Sequence, residues 1–225
     1  LTQIPYSIGK YVAYIPFRYR PGIGNSYYKS KAKIDSFREK AYPLKKEYLF
    51  HEMRKITIYA YDNIQFYKEY YDSFNFNPER HLKSFQDIKS IPIINKEILL
   101  RYELEQRSNS KIKSMQANTG GSSGSTLSFL LPSTKMGIEW SHLHHIWKLQ
   151  MNFKPSDLKL LIVGRSDVKN KLDYDFIRHS LRIDIYSSFK SIAEILLSKF
   201  NKTPIYFIHG YPSAIYELVI SCQKN

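Results

Sequence analysis

The chain has 225 residues, a formal net charge of +14, one cysteine and 43% hydrophobic residues. That length and apolar content support a folded core and one or two domains, globular rather than disordered. The single Cys222 excludes an internal disulfide and fits a reducing compartment, so a cytoplasmic protein is expected. No apolar run approaches the ~18 residues of a membrane-spanning helix, and Leu1-Thr2-Gln3-Ile4-Pro5 lacks the order of a signal peptide. Leu1 in place of a methionine leads us to expect a piece of a longer chain. The basic balance points to anionic partners. Lysines concentrate at Lys29 to Lys33, at Lys45-Lys46 and at Lys169 to Lys171, but no nucleic-acid module is visible, so nucleic acid is disfavoured.

In chain order, residues 1–30 are aromatic and basic, and Pro5, Pro16, Pro21, Gly22 and Gly24 interrupt regular structure. A short helix is expected over 30–41, stopping near Pro43, and a longer one over 44–73. In the second, Leu49, Met53, Ile56, Tyr59, Ala60 and Asn63 keep helical spacing, and its tyrosines read as packing residues with polar tips rather than a cofactor box. Residues 75–78 end it, and 94–102 read as another short helix.

From residue 111 the pattern changes. Residues 111–117 and 127–131 read as strands, and 136–151 reads as a helix with Ile138, His142, Ile146 and Leu149 near one face. Residues 158–164 form the clearest buried strand, followed by a strand over 181–186 and a helix over 188–200, capped by Ser187 or Ser188. A strand over 204–208 and a helix over 212–221, with Pro212 in its first turn, complete the chain. The succession predicts an α/β fold: a helical N-terminal region (1–110), then part of a mostly parallel, helix-covered sheet (111–225).

Between the first two strands lies the segment of greatest chemical interest, Thr119-Gly120-Gly121-Ser122-Ser123-Gly124-Ser125-Thr126. Glycines let backbone N–H groups approach an anion, and hydroxyls donate to phosphate oxygens. A Gly/Ser linker is the competing reading. The flanking strands favour a hairpin with a functional tip instead. The segment lacks the Gly-Lys-Ser/Thr ending and following helix of a Walker loop, and it lacks the strand–loop–helix context of a dinucleotide fingerprint.

Other constellations are weaker. His142, His144 and His145 lack the i, i+4 histidine spacing preferred by zinc on one helical face, so a satisfied core or pocket histidine is the better reading and no metal site is expected. Asp173 and Asp175 read as a solvated turn, Trp140 and Trp147 as core, and Cys222 as no nucleophile.

The Thr119–Thr126 segment resembles the phosphate-binding loop of adenylate-forming enzymes, the superfamily of acyl-CoA ligases, luciferase and peptide-synthetase adenylation domains. Thr119, Gly121, Ser122, Ser123 and Gly124 match; Gly120, Thr126 and Leu127 stand where serine, proline and lysine are usual. The run from Tyr59 to Tyr67 resembles the A-x-x-N-x-x-x-Y helix of the phenylacetate-CoA ligase branch, and the stretches Ser84 to Ile88 and Ile91 to Lys96 resemble its next segment. His209-Gly210-Tyr211-Pro212-Ser213 and the residues to Leu218 look like a signature of its capsular-polysaccharide relatives.

The resemblance covers residues 49–225. It implies an ATP- and Mg²⁺-dependent, AMP-forming activation of a carboxylic acid, with coenzyme A or another nucleophile as acyl acceptor. It places the β- and γ-phosphates on Thr119–Thr126 and the acyl side of the cleft on Gly210, Tyr211, Pro212 and Ser213. Catalytic residues are not assigned. The later family motifs, a Tyr-Gly-x-Thr-Glu run, a ribose-binding aspartate and a C-terminal domain with a catalytic lysine, are not in the 225 residues. The expectation is therefore an N-terminal portion, inactive alone. Two alternatives stay open: a non-catalytic homologue that binds an anionic ligand or a partner protein, and a basic nucleic-acid-binding module.

Overall fold

A computed structural model describes residues 4–119, 126–163, 168, 171–200 and 202–223. The elements in chain order are α1 (Tyr6–Gly9), α2 (Gly24–Glu39), α3 (Tyr42–Asn63), α4 (Gln65–Ser73), α5 (Pro78–His81), α6 (Lys96–Leu99), β1 (Ser114–Asn118), β2 (Ser128–Pro132), α7 (Lys135–Met151), β3 (Lys159–Val163), β4 (Leu172–Asp175), β5 (Ser180–Asp184), α8 (Phe189–Phe200), β6 (Phe207–Gly210) and α9 (Pro212–Gln223). The fold is α/β. No helix among the described residues is long and apolar enough to cross a membrane.

Two compact units divide the chain. One comprises residues 29–136, the other residues 1–28 together with 137–225. The expected boundary at 110 falls inside the first of these.

In the 29–136 unit, the helix expected over 44–73 is two helices. Ile64 is extended (φ −131°, ψ 115°) and separates α3 from α4. The break lets Phe66 bury completely against Tyr67, Tyr70 and Tyr102, with ring centroids 5.0, 5.6 and 4.7 Å away. The Phe66 N–H donates to the Gln106 carbonyl at 2.9 Å. Asn75, in the left-handed region at φ 52°, turns the chain after α4 and brings Phe76 and Leu82 into a small core with Tyr71. Side-chain caps then fix the short helices: Asn77 Oδ1 accepts from the Arg80 N–H, and Asn95 Oδ1 from the Ile98 N–H.

Of the residues that keep helical spacing in α3, only Ala60 is buried, next to Thr57, whereas Leu49, Met53, Ile56, Tyr59 and Asn63 are exposed. Thr57 satisfies its hydroxyl on the Met53 carbonyl at 2.8 Å. The unit ends in the antiparallel hairpin β1–β2, registered from Ser114 opposite Pro132 to Asn118 opposite Ser128.

The other unit is built on a mixed sheet of order β4-β5-β3-β6, in which β3 is parallel to both β5 and β6 and β4 runs antiparallel to β5. Side chains alternate across a strand. Leu160 and Ile162 of β3, with Leu181 and Ile183 of β5, join Ile192 of α8 and Ala214 and Leu218 of α9 in one core. Each such buried Leu or Ile contributes about 1.5–3 kcal/mol of transfer free energy. The opposite face turns Lys159, Phe207 and His209 toward Trp140, Trp147 and Phe153, in α7 and just after it.

In α7 the expected Ile138–Leu149 face is exposed at Ile138, His142, Ile146 and Leu149; the buried stripe is Gly137, Trp140, Ser141 and His144. Gly137 makes close approach possible, because a Cβ there would lie 2.7 Å from both the Ile23 carbonyl oxygen and the Tyr27 nitrogen. Asp173 and Asp175, expected in a solvated turn, lie in β4. Asp173 is buried directly opposite Arg182 and bound to it at 3.1 Å, and Asp175 is paired with Arg178.

Candidate functional site

The hairpin β1–β2 holds the two ends of the Gly/Ser/Thr segment. Residues 119–127 join the paired ends, longer than the common hairpin tip of about two to five residues. Thr119 closes the base of this tip. Its N–H donates to the Leu127 carbonyl at 2.9 Å, and its Oγ1 accepts from the Leu127 N–H at 3.0 Å. Among the described residues the Thr119 hydroxyl proton has no acceptor. Below it, Ser128 Oγ donates to Asn118 Oδ1 at 2.8 Å. Thr126 is exposed. Gly120, Gly121, Ser122, Ser123, Gly124 and Ser125 lie outside the described residues.

One cation at this position was missed in the sequence. Arg107 donates through Nη1 to the Ser128 carbonyl and through Nε to the Tyr102 carbonyl at 3.2 Å. It has no carboxylate partner among the described residues, so its charge stands uncompensated beside the base of the tip. A guanidinium is a natural partner for phosphate. The only available signal was its place shortly before β1, which does not distinguish it from the other arginines of the chain.

The second expected group, Gly210 to Ser213, belongs to the other unit. Gly210 ends β6 against β3: a Cβ there would lie 2.7 Å from Ile162 Cβ and 2.8 Å from the Ile162 carbonyl oxygen. Its lack of a side chain is thus required by strand packing. Tyr211 is exposed, its carbonyl accepts from the Ile215 N–H at 3.0 Å, and Pro212 opens α9 with Ser213 exposed behind it. Packing and helix initiation account for Gly210 and Pro212. The exposed Tyr211 and Ser213 are free to meet a ligand.

A buried basic and aromatic group in the same unit also escaped the sequence reading. Lys159 is fully buried, with Nζ donating to the Arg178 carbonyl at 2.5 Å and lying 5.2 and 5.3 Å from the Trp140 and Phe153 ring centroids. Burial chiefly, helped by Arg20 and Arg178, lowers its pKa to about 7 against the opposing pull of Asp175. His144 is buried, with Nδ1 3.1 Å from the Tyr27 hydroxyl and Nε2 without a hydrogen-bond partner. Burial, then Lys159 and Arg20, push its pKa down to about 3. It is a buried core histidine, though not the satisfied one expected, while His142 is exposed. His179, 2.7 Å from the Tyr174 hydroxyl, is pushed to about 4, again mainly by burial. Lys159 has no exposed surface through which to reach a substrate, so this group is a core device. Among the described residues, no three His, Cys, Asp or Glu side chains converge to hold a metal ion.

Neither a family model, nor a curated protein, nor a solved structure gives a significant match to this chain.

Proposed function

We propose that this chain is the N-terminal part of an ATP-dependent, AMP-forming carboxylate-activating ligase of the phenylacetate-CoA ligase type, acting in the cytoplasm in capsular or surface-polysaccharide synthesis. The observation that carries the reading is the hairpin: a segment of glycines and hydroxyls joins two antiparallel strands, closed at its base by Thr119 and flanked by Arg107. In this reading Thr119, Ser122 and Ser123 donate hydroxyls to the β- and γ-phosphates, and Gly121 and Gly124 admit backbone N–H groups to the same oxygens. Gly120, Ser125 and Thr126 complete the loop, and Arg107 adds charge. Mg²⁺ brought in with ATP would offset the charge of the phosphate oxygens.

The reaction is attack of a substrate carboxylate oxygen on the α-phosphorus of ATP. The bond to the bridging oxygen breaks, pyrophosphate leaves, and an acyl-adenylate forms. A thiol such as coenzyme A, or another nucleophile, then takes the acyl group and releases AMP. Positioning and charge stabilisation are the protein's contribution to such chemistry. Gly210 to Ser213 are assigned to the acyl side.

Equilibrium dialysis of the chain with Mg·ATP tests the binding step. Saturable binding that a Ser122→Ala/Ser123→Ala variant weakens by about tenfold or more supports the reading, since each hydrogen bond to a charged group is worth ~1.5–3 kcal/mol. Binding that the double variant leaves intact would contradict it. A folded chain that ignores ATP favours the alternative, a non-catalytic relative that binds another anionic ligand or a partner protein.

A further inference from the structure

The N-terminal segment carries a surface that the ligase reading does not use. Its inner side is Gly9, Ala13, Phe17 and Arg20, all buried. Its outer side is Ile8, Tyr11, Tyr14, Ile15 and Tyr19, all exposed, with Tyr14 at 80% and Tyr11 at 65%. Tyr28 of α2 joins them: the Arg18 guanidinium lies 4.5 Å from the Tyr19 ring centroid and 5.0 Å from that of Tyr28. Lys10 lies 5.3 Å from the Tyr11 ring centroid. Neither Lys10 nor Arg18 has a carboxylate partner among the described residues. The segment itself holds no acid, the first of the chain being Asp35.

Exposed apolar groups are ordinary when scattered singly, whereas here Ile8, Tyr11, Tyr14, Ile15, Tyr19 and Tyr28 crowd one short segment. This set has a definite chemistry. Tyrosines with an apolar body and polar tip, aliphatic Ile8 and Ile15, and cations without carboxylate partners are the groups that settle at the boundary between lipid headgroups and acyl chains. We propose that residues 8–28 form a docking surface for an anionic lipid bilayer. Lys10 and Arg18 engage headgroup phosphates and carboxylates, while Ile8, Tyr11, Tyr14, Ile15 and Tyr19 enter the headgroup layer. The two isoleucines favour a bilayer over single-stranded nucleic acid, because an aliphatic side chain offers a base no stacking face. Binding is peripheral and reversible. The proposal rests on surface residues alone and does not depend on the nucleotide reading.

The test is co-sedimentation of the full chain with vesicles of phosphatidylcholine alone and of phosphatidylcholine with ~30% phosphatidylserine, at low and physiological salt. Binding to the anionic vesicles, much weaker on the neutral ones, is expected. Each cation near such a surface is worth about a fivefold change in affinity, so Lys10→Gln/Arg18→Gln is expected to weaken binding roughly 25-fold. Tyr11→Ser/Tyr14→Ser weakens it further at physiological salt, where the apolar part matters more. Tyr11 and Tyr14 are exposed and Lys10 and Arg18 half-buried, and circular dichroism and thermal melting check that the variants fold. The control pair Lys190→Gln/Lys199→Gln, which removes the same charge elsewhere, is expected to change little. Equal losses in both charge pairs would show attraction by net charge alone and overturn the assigned surface. Absence of vesicle binding overturns the proposal, and so does tight binding of an oligonucleotide that depends on Tyr11 and Tyr14 in the absence of vesicle binding.

Discussion

Arg20 shows how much one side chain can organise. It is buried, and its guanidinium donates to four carbonyls: Ala13 at 2.6 Å, Ile177 at 2.9 Å, and Ile15 and Pro155 at 3.1 Å. These carbonyls come from the N-terminal segment and from two loops of the sheet-containing half, so one planar fork ties residues 13–20 to residues more than a hundred positions away. Burial lowers its pKa only to about 10, so it stays charged at neutral pH. Arg20→Met is expected to destabilise the protein by about 3 kcal/mol, because it strands buried acceptors. Arg20→Lys is expected to recover less than half of that, since an ammonium cannot span the fork. Urea unfolding measures both; a loss below ~0.5 kcal/mol for Arg20→Met would contradict this role. At the hairpin, Arg107→Gln is expected to weaken Mg·ATP binding about tenfold, on the scale of one hydrogen bond to a charged group, measured by the same dialysis. Nothing in the sequence singles out Arg20 or Arg107, because their importance lies in which distant carbonyls they meet.

At the scale of elements, α7 is the instructive case. Its buried stripe of Gly137, Trp140, Ser141 and His144 has helical spacing, but only Trp140 is strongly apolar. Hydrophobic periodicity therefore selects the Ile138 and Leu149 side, which faces out. The buried residues are there for close approach and hydrogen bonding: Gly137 against Ile23 and Tyr27, Ser141 Oγ donating to the Ile138 carbonyl at 2.6 Å, and His144 against the Tyr27 hydroxyl. Gly137→Ala is thus expected to cost about 1–3 kcal/mol through overpacking, although alanine is the better helix former by ~1 kcal/mol. Thermal melting decides; an unchanged or raised Tm would mean that α2 and α7 do not pack so closely at this point. The same reason hid Thr57 of α3, which is buried beside Ala60. By contrast, β3 was legible because a strand buried on both faces reads as a continuous apolar run. The β1–β2 hairpin was legible because short apolar and alternating runs bracket the glycines. Strand β4 was not: Leu172-Asp173-Tyr174-Asp175 is charged, and it pairs because Asp173 meets Arg182 across the ladder.

At the scale of the whole molecule, a chain with net charge +14 keeps several basic groups in its interior. His144 and His179 have folded pKa values near 3 and 4 against about 6.5 when unfolded. Between those limits the unfolded chain binds more protons, so the histidine contribution is complete above pH 6.5 and is lost as pH falls toward 4. Tm is expected to drop between pH 7.5 and pH 5. His144→Leu lowers Tm at pH 7.5, because it loses the Tyr27 hydrogen bond, but it shows a shallower fall. Lys159, near 7 folded and 10.5 unfolded, has the same sign in a higher window: stability rises from pH 7 to pH 9. Lys159→Met removes that rise. A Lys159→Met protein with an unchanged slope between pH 7 and 9 would refute the assignment.

The assembly of residues 1–28 with 137–225 was beyond the sequence for a related reason. A composition change near 110 marks where strands begin, whereas the compact units are set by long-range contacts such as those of Arg20. The eight loop positions Thr119 to Thr126 carry the motif on which the proposed function rests. Their use of ATP is the central claim, and it is tested most directly by acid-dependent exchange of labelled pyrophosphate into ATP, with the complete gene product and a panel of carboxylic acids. We expect exchange with at least one acid, abolished by Ser122→Ala/Ser123→Ala. Exchange that survives the double substitution, or a folded protein that exchanges with no acid in the panel, would contradict the account.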